Sequence, residues 1–146
     1  MKKELEALIL EIRDLPELEK LEAVNRFFNE RLIYSLDKGK DYWQTLEETL
    51  KRKAGDCDDF TIAKLKASLK AGVPKEKLNL AYATVNDEVH LALAYYPGPG
   101  ADPLILDNKI DKILPLSMRR NFYIRFSFNH RDMKRIRQFR EMEGRG

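Results

Sequence analysis

The sequence predicts an α+β domain with helices in its first half and antiparallel strands in its second. Apolar residues recur at helical spacing over residues 3–13 and again over 17–31. After Val73-Pro74 the period changes to two, and residues 79–85 and 89–96 read as strands joined around Asn86-Asp87-Glu88. Helices precede strands and do not alternate with them, which excludes a doubly wound parallel sheet.

Each element has a local reason. Leu5, Leu8, Ile9 and Ile12 form the stripe of the first helix, which stops at Asp14-Leu15-Pro16. In the second, Leu18, Leu21, Val24, Phe27, Phe28 and Leu32 share a stripe, while Asn25, Asn29 and Glu30 fall off it. Residues 34–43 read as irregular, with turn chemistry at Asp37-Lys38-Gly39-Lys40. Thr45 and Glu48 have capping-box spacing and open a short helix through Leu50. Gly55 breaks the chain, and a further helix is predicted over 56–71, with Phe60, Ala63, Leu65 and Leu69 apolar and Gly72 just past its end. Pro97-Gly98-Pro99-Gly100 is a loop, and residues 104–106 and 122–128 complete the strands.

The chain has 146 residues, 43% of them hydrophobic, which predicts a single domain over 1–146 with a basic tail at 130–146. Its 27 Lys+Arg nearly cancel 24 Asp+Glu, so a dedicated nucleic-acid binder is not expected. No apolar run approaches the roughly 18 residues that span a bilayer. Met1-Lys2-Lys3-Glu4-Leu5-Glu6 has acidic residues where a signal peptide needs an apolar stretch. The tail, with Met133, Ile136 and Phe139 among Lys134, Arg135, Arg137 and Arg140, reads either as a solvated terminal helix or as a docking surface for an acidic partner.

The lone cysteine, Cys57, excludes an intramolecular disulfide and draws attention to its surroundings. In Gly55-Asp56-Cys57-Asp58-Asp59 the thiol falls in the first turn of a helix, where unpaired N–H groups and the macrodipole favour a thiolate. Asp56 is an N-cap, and Asp58 and Asp59 also have a purely structural use as complements to the helix dipole. Of the two histidines, His130 begins the tail. His90 lies within a strand, sharing a face with Ala92 and Ala94, where small side chains would let a helix terminus come near. A satisfied core histidine is the competing reading. Asp107 ends the apolar strand Leu104-Ile105-Leu106, where it is either an orienting carboxylate or turn chemistry. The order Cys, His, Asp, on a helix start and two strands, is that of papain-like and transglutaminase-like folds.

Over residues 24–129 the sequence resembles the bacterial transglutaminase-like cysteine proteinases of the LapG type. The resemblance is carried by Asn25-Arg26-Phe27-Phe28-Asn29, Asp41-Tyr42-Trp43, Gly55-Asp56-Cys57-Asp58-Asp59, Ala71-Gly72-Val73-Pro74, His90-Leu91-Ala92-Leu93-Ala94-Tyr95, Pro103-Leu104-Ile105-Leu106-Asp107-Asn108 and Phe126-Ser127-Phe128-Asn129. It implies a nucleophile helix packed on an antiparallel sheet and a catalytic triad of Cys57, His90 and Asp107. It also implies calcium bound by Asp56 and Asp58, the latter standing where the family has Glu. Such proteins are periplasmic endopeptidases that cut large biofilm adhesins at small-residue sites and are sequestered by an inner-membrane receptor for cyclic di-GMP. With a signal peptide expected to be either absent or already removed, the periplasm follows from the resemblance alone, and a cytoplasmic place stays open.

The expected chemistry is attack of Cys57 on a peptide carbonyl, with the Cys57 N–H as oxyanion donor and Trp43 either in the cleft or in the core. Acyl transfer to an amine, and a non-catalytic module with a degenerate cleft, are the alternatives. Calcium beside the nucleophile would relieve crowding of the thiol by Asp56, Asp58 and Asp59, with Asn108 a weak further ligand. The tail is expected to be dispensable for chemistry.

Overall fold

A computed structural model describes residues 1–36, 43–129 and 132. Helices α1 (Lys2–Ile12), α2 (Glu17–Arg31), α3 (Leu46–Arg52) and α4 (Cys57–Lys70) precede the main sheet, as the apolar spacing predicts. The strands are β1 (Ile33–Tyr34), β2 (Ala54–Gly55), β3 (Leu78–Val85), β4 (Glu88–Tyr95), β5 (Leu104–Leu106), β6 (Leu114–Pro115) and β7 (Phe122–Phe128). The five-stranded sheet has the order β6-β5-β4-β3-β7, and every pairing within it is antiparallel. Strands β1 and β2 form a separate parallel pair. These two-residue strands and β6 are absent from the sequence reading because so short a segment carries no measurable period.

Helix α4 is the centre of the fold. Phe60, Ala63, Ala67 and Ala71 pack against α1, α2 and α3 through Leu5, Val24, Phe27, Phe28 and Leu50. Ile62 and Leu65, on its other side, pack on Leu80, Leu91, Leu93 and Leu106 of the sheet. A helix between two layers must be apolar nearly all round, which is why α4 reads as less amphipathic than α1. Its end is a Schellman motif: Gly72 at φ +96° donates to the Leu69 carbonyl, and Val73 donates to that of Ser68.

The far face of the sheet has its own cluster, in which Ala81, Ala83, Ala92 and Ala94 pack with Ile105 and Phe122. Cross-strand pairing of Ala83 with His90 aligns the histidine with this alanine face. The β3–β4 hairpin turns through Asn86 and Asp87, both at positive φ, the geometry of a tight two-residue hairpin. Residues 130, 131 and 133–146, which hold the basic tail and His130, lie outside the described residues, as does the predicted turn at 37–40. Among the described residues no helix is long and apolar enough to cross a membrane.

Candidate active site

The turn that presents Cys57 is fixed from four sides. Asp56 caps α4, its Oδ1 accepting from the N–H groups of Asp58 at 3.0 Å and Asp59 at 3.3 Å. Asp59 reciprocates, its Oδ2 accepting from the Asp56 N–H at 3.1 Å, so the two aspartates form a capping box. Oδ1 of Asp59 accepts from the Gln44 N–H at 2.8 Å, which leaves Asp59 fully buried. A side chain at Gly55 would put its Cβ 2.5 Å from Cβ of Asp59, so only glycine admits this approach. The Gly55 carbonyl in turn accepts from Ser35 N–H at 2.9 Å, beside the β1–β2 pair.

The same turn is tied to the strand that carries the histidine. The Thr61 hydroxyl is 2.7 Å from the Cys57 carbonyl oxygen and 3.1 Å from that of Leu91. The Cys57 sulfur packs against the apolar cluster that contains Leu91 and lies 3.8 Å from Oδ1 of Asp58. Leu91 directly follows His90, so the helix start meets β4 next to the predicted base. The contact is made through the leucine face: Cys57 packs with Leu91 and its neighbours, and the alanine-face cluster contains no α4 residue. The expectation that the alanines make room for the helix is therefore corrected. They accommodate Phe122 and Ile105 instead.

His90 and Asp107 meet directly. Nε2 of His90 lies 2.8 Å from Oδ1 of Asp107, and both side chains are buried. Oδ1 also accepts from the Lys109 N–H at 3.1 Å, and Oδ2 accepts from Nη2 of Arg119 at 2.8 Å. Burial alone would raise the Asp107 pKa, but the hydrogen bond and charge of His90, with the bond from Arg119, hold it well below the usual carboxylate range. An ionised Asp107 makes Nε2 the protonated nitrogen and leaves Nδ1 to accept.

The loop after β5 is stapled from below by residues read as outside the apolar stripe. Asn25 Nδ2 donates to the Asp111 carbonyl at 2.9 Å, and Asn29 Nδ2 is 2.9 Å from the Asp107 carbonyl and 3.0 Å from Oδ1 of Asp111. Asn29 Oδ1 accepts from Nζ of Lys64 at 2.7 Å. Lys64 is buried, which lowers its pKa to about 7 against the opposing charges of Asp107 and Asp111. Asparagines one turn apart on α2 were the available sequence signal for this staple. Arg119 and Thr61 left none, since neither departs from ordinary loop or helix composition.

Burial, then the charges of Asp58 and Asp56, push Cys57 up to about 12, against the lowering effect of the Leu91 N–H. Desolvation and like charge thus oppose the thiolate that the helix terminus favours. Asp59 faces inward to Gln44, so two carboxylates, not three, bear on the sulfur. Trp43 lies in the core with Leu21 and Ile62. Oδ1 of Asn108 is buried without a hydrogen-bond partner among the described residues.

The family model of the bacterial transglutaminase-like cysteine proteinases matches residues 9–140. The chain belongs to this family. As a family member it resembles LapG of Legionella pneumophila in its calcium-bound structure, at 36% identity and a TM-score of 0.82, over 86% of this chain and 72% of that one. The EGTA-treated structure of the same protein matches with a TM-score of 0.81, at 36% identity and over 86% and 70% of the two chains. A putative cysteine protease from Cytophaga hutchinsonii shares the fold at 16% identity and a TM-score of 0.60, over 86% of this chain and 42% of that one. Comparison with curated proteins gives no significant match. The family match begins before residue 24 and runs past Asn129, so the first part of the basic tail belongs to the family's extent.

Proposed function

We propose that this cysteine proteinase is a calcium-dependent endopeptidase that cuts a large surface adhesin at a small-residue site, with Cys57, His90 and Asp107 as its triad. The observation that carries the reading is the buried His90–Asp107 pair at 2.8 Å, with Leu91, the residue after His90, in the apolar cluster against which Cys57 packs. Nδ1 of His90 would take the thiol proton as Sγ attacks the peptide carbonyl. The N–H of Cys57, at the first helical position, has no partner within the helix and is suited to the developing oxyanion. His90 then gives the proton to the leaving amine, and water hydrolyses the thioester. Asp107 stays ionised throughout and fixes the ring.

Asp56 and Asp58 would hold the calcium ion. They fit it in chemistry, being hard oxygen donors whose charge raises the pKa values of both Cys57 and Tyr34. Among the described residues no third carboxylate, histidine or cysteine joins them, so main-chain carbonyls and water would complete the shell. When bound, the ion would offset the negative charge beside the thiol. The structures of the relative, calcium-bound and EGTA-treated, support this reading. A periplasmic location and control by an inner-membrane cyclic di-GMP receptor belong to the same proposal.

Mass analysis of a peptide containing an Ala-Ala bond, incubated with the protein and calcium, tests the function. Two fragments with a new free carboxylate support an endopeptidase. An amide formed only with an added primary amine would favour acyl transfer instead.

A further inference from the structure

Arg119 follows a short 3-10 turn, Leu116–Met118, that is held against the start of β5 by the bond from Leu116 N–H to the Pro103 carbonyl at 2.8 Å. Its guanidinium is largely buried and lies over the Phe122 ring, 4.8 Å from the centroid. The edge-on partner of that same ring is His90, at 6.4 Å and 89°. Nη1 of Arg119 is buried with no hydrogen-bond partner among the described residues, so Asp107 is the acceptor that sets the guanidinium's place. One phenyl ring and one carboxylate thus tie Arg119 and His90 together.

We propose that Arg119 is a positioning residue for the general base, clamping Oδ2 of Asp107 so that Oδ1 stays aimed at the ring of His90. A carboxylate held at one oxygen is free to turn about its Cβ–Cγ bond, whose rotation is soft. The guanidinium bond to the second oxygen removes that freedom, and a charged, planar donor does so with directional strength. The other groups that bear on Asp107 do not replace it. Lys109 offers a main-chain N–H to the oxygen already shared with His90, and Lys64 spends its hydrogen bond on Asn29. The kinetic consequence rests on the endopeptidase reading; the geometric one does not.

Two variants and two measurements test this. Arg119→Met keeps the apolar stem over Phe122, and Arg119→Lys keeps the charge without the fork. In Arg119→Met, kcat on the cleaved peptide is expected to fall about 10- to 100-fold while KM changes by less than about threefold, since only alignment is lost. Arg119→Lys should lose less. The downfield proton NMR signal of the His90 Nε2–H, assigned in a His130→Gln background, should broaden in Arg119→Met and to a smaller degree in Arg119→Lys. In an Asp107→Asn background, Arg119→Met should add little further loss. Wild-type kcat and an unchanged signal in either variant would overturn the proposal, as would an equal loss with and without Asp107. If the wild type cleaves nothing but the signal responds as described, the endopeptidase reading fails and the role of Arg119 stands.

Discussion

Nε2 of His90 and Oδ1 of Asp107 are 2.8 Å apart, with 4% and 0% of their side chains exposed. A buried carboxylate that also accepts from Arg119 and Lys109 is committed to the ionised state, and it dictates which ring nitrogen of His90 bears the proton. That relationship is the one the proposed role of His90 as base depends on.

Replacing Asp107 by Asn tests it. The amide can still orient the ring, but it removes the charge that favours imidazolium and disrupts the bond from Arg119. The expected fall in kcat is roughly 10²- to 10⁴-fold, with a measurable residue of activity. Stability should respond too. Because its pKa is lowered in the fold, Asp107 stabilises the protein above the unfolded carboxylate value, and this contribution is lost as pH falls through the folded one. The melting temperature of Asp107→Asn should therefore depend less on pH below about 4 than that of the wild type, as thermal melts across an acid series would record.

Gly55→Ala is predicted to lower stability by about 1–3 kcal/mol, because its Cβ would meet Cβ and Cγ of the fully buried Asp59. Peptide cleavage should fall with it, since Asp59 is half of the capping box that sets the Cys57 turn. Denaturant titration with a parallel activity assay checks both, and wild-type stability would contradict this account of the glycine.

Much of this was legible in the sequence. The stripes of α1 and α2, the Thr45–Glu48 capping box, Gly72 at positive φ and the β3–β4 hairpin are local in cause, and local residues predict them. Cys57, His90 and Asp107 stood out because a thiol at a helix start and a carboxylate at the end of an apolar strand are chemically out of place. What was hidden depends on distant parts of the chain. Asn25 and Asn29 look solvated on α2, and the loop after Asp107 descends on them, leaving Asn25 buried and Asn29 half-buried. The face of β4 that receives α4 was misjudged for the same reason: alternation yields two faces but not which one a helix will cover.

Lys64 gives a second stability signature, of the same sign but in the alkaline range. Its pKa is lowered by burial from 10.5 to about 7, so between these values the unfolded chain holds more protons than the fold. Stability relative to a Lys64→Met variant should rise as pH increases from about 7 to 9, which paired melts in the two proteins would measure. A difference that stays flat over this range would mean that Lys64 remains charged in place.

Chelation should matter most near the nucleophile. With EGTA the protein is expected to lose cleavage and to melt at a lower temperature, and calcium, but not magnesium, should restore both. Asp56→Ala also loses the N-cap, so Asp58→Asn is the cleaner variant: it should need more calcium for the same turnover. Equal melting and turnover with and without chelator would remove the ion from the account.

The most direct test of the triad is the rate at which Cys57→Ser, folded as judged by its circular dichroism, cleaves a polypeptide that the wild type cuts. A hydroxyl in place of the thiol leaves the turn, the capping box and the His90–Asp107 pair as they are and changes only the nucleophile. The account predicts that cleavage becomes undetectable in Cys57→Ser and in His90→Ala alike. Cleavage by Cys57→Ser at the wild-type rate would contradict it.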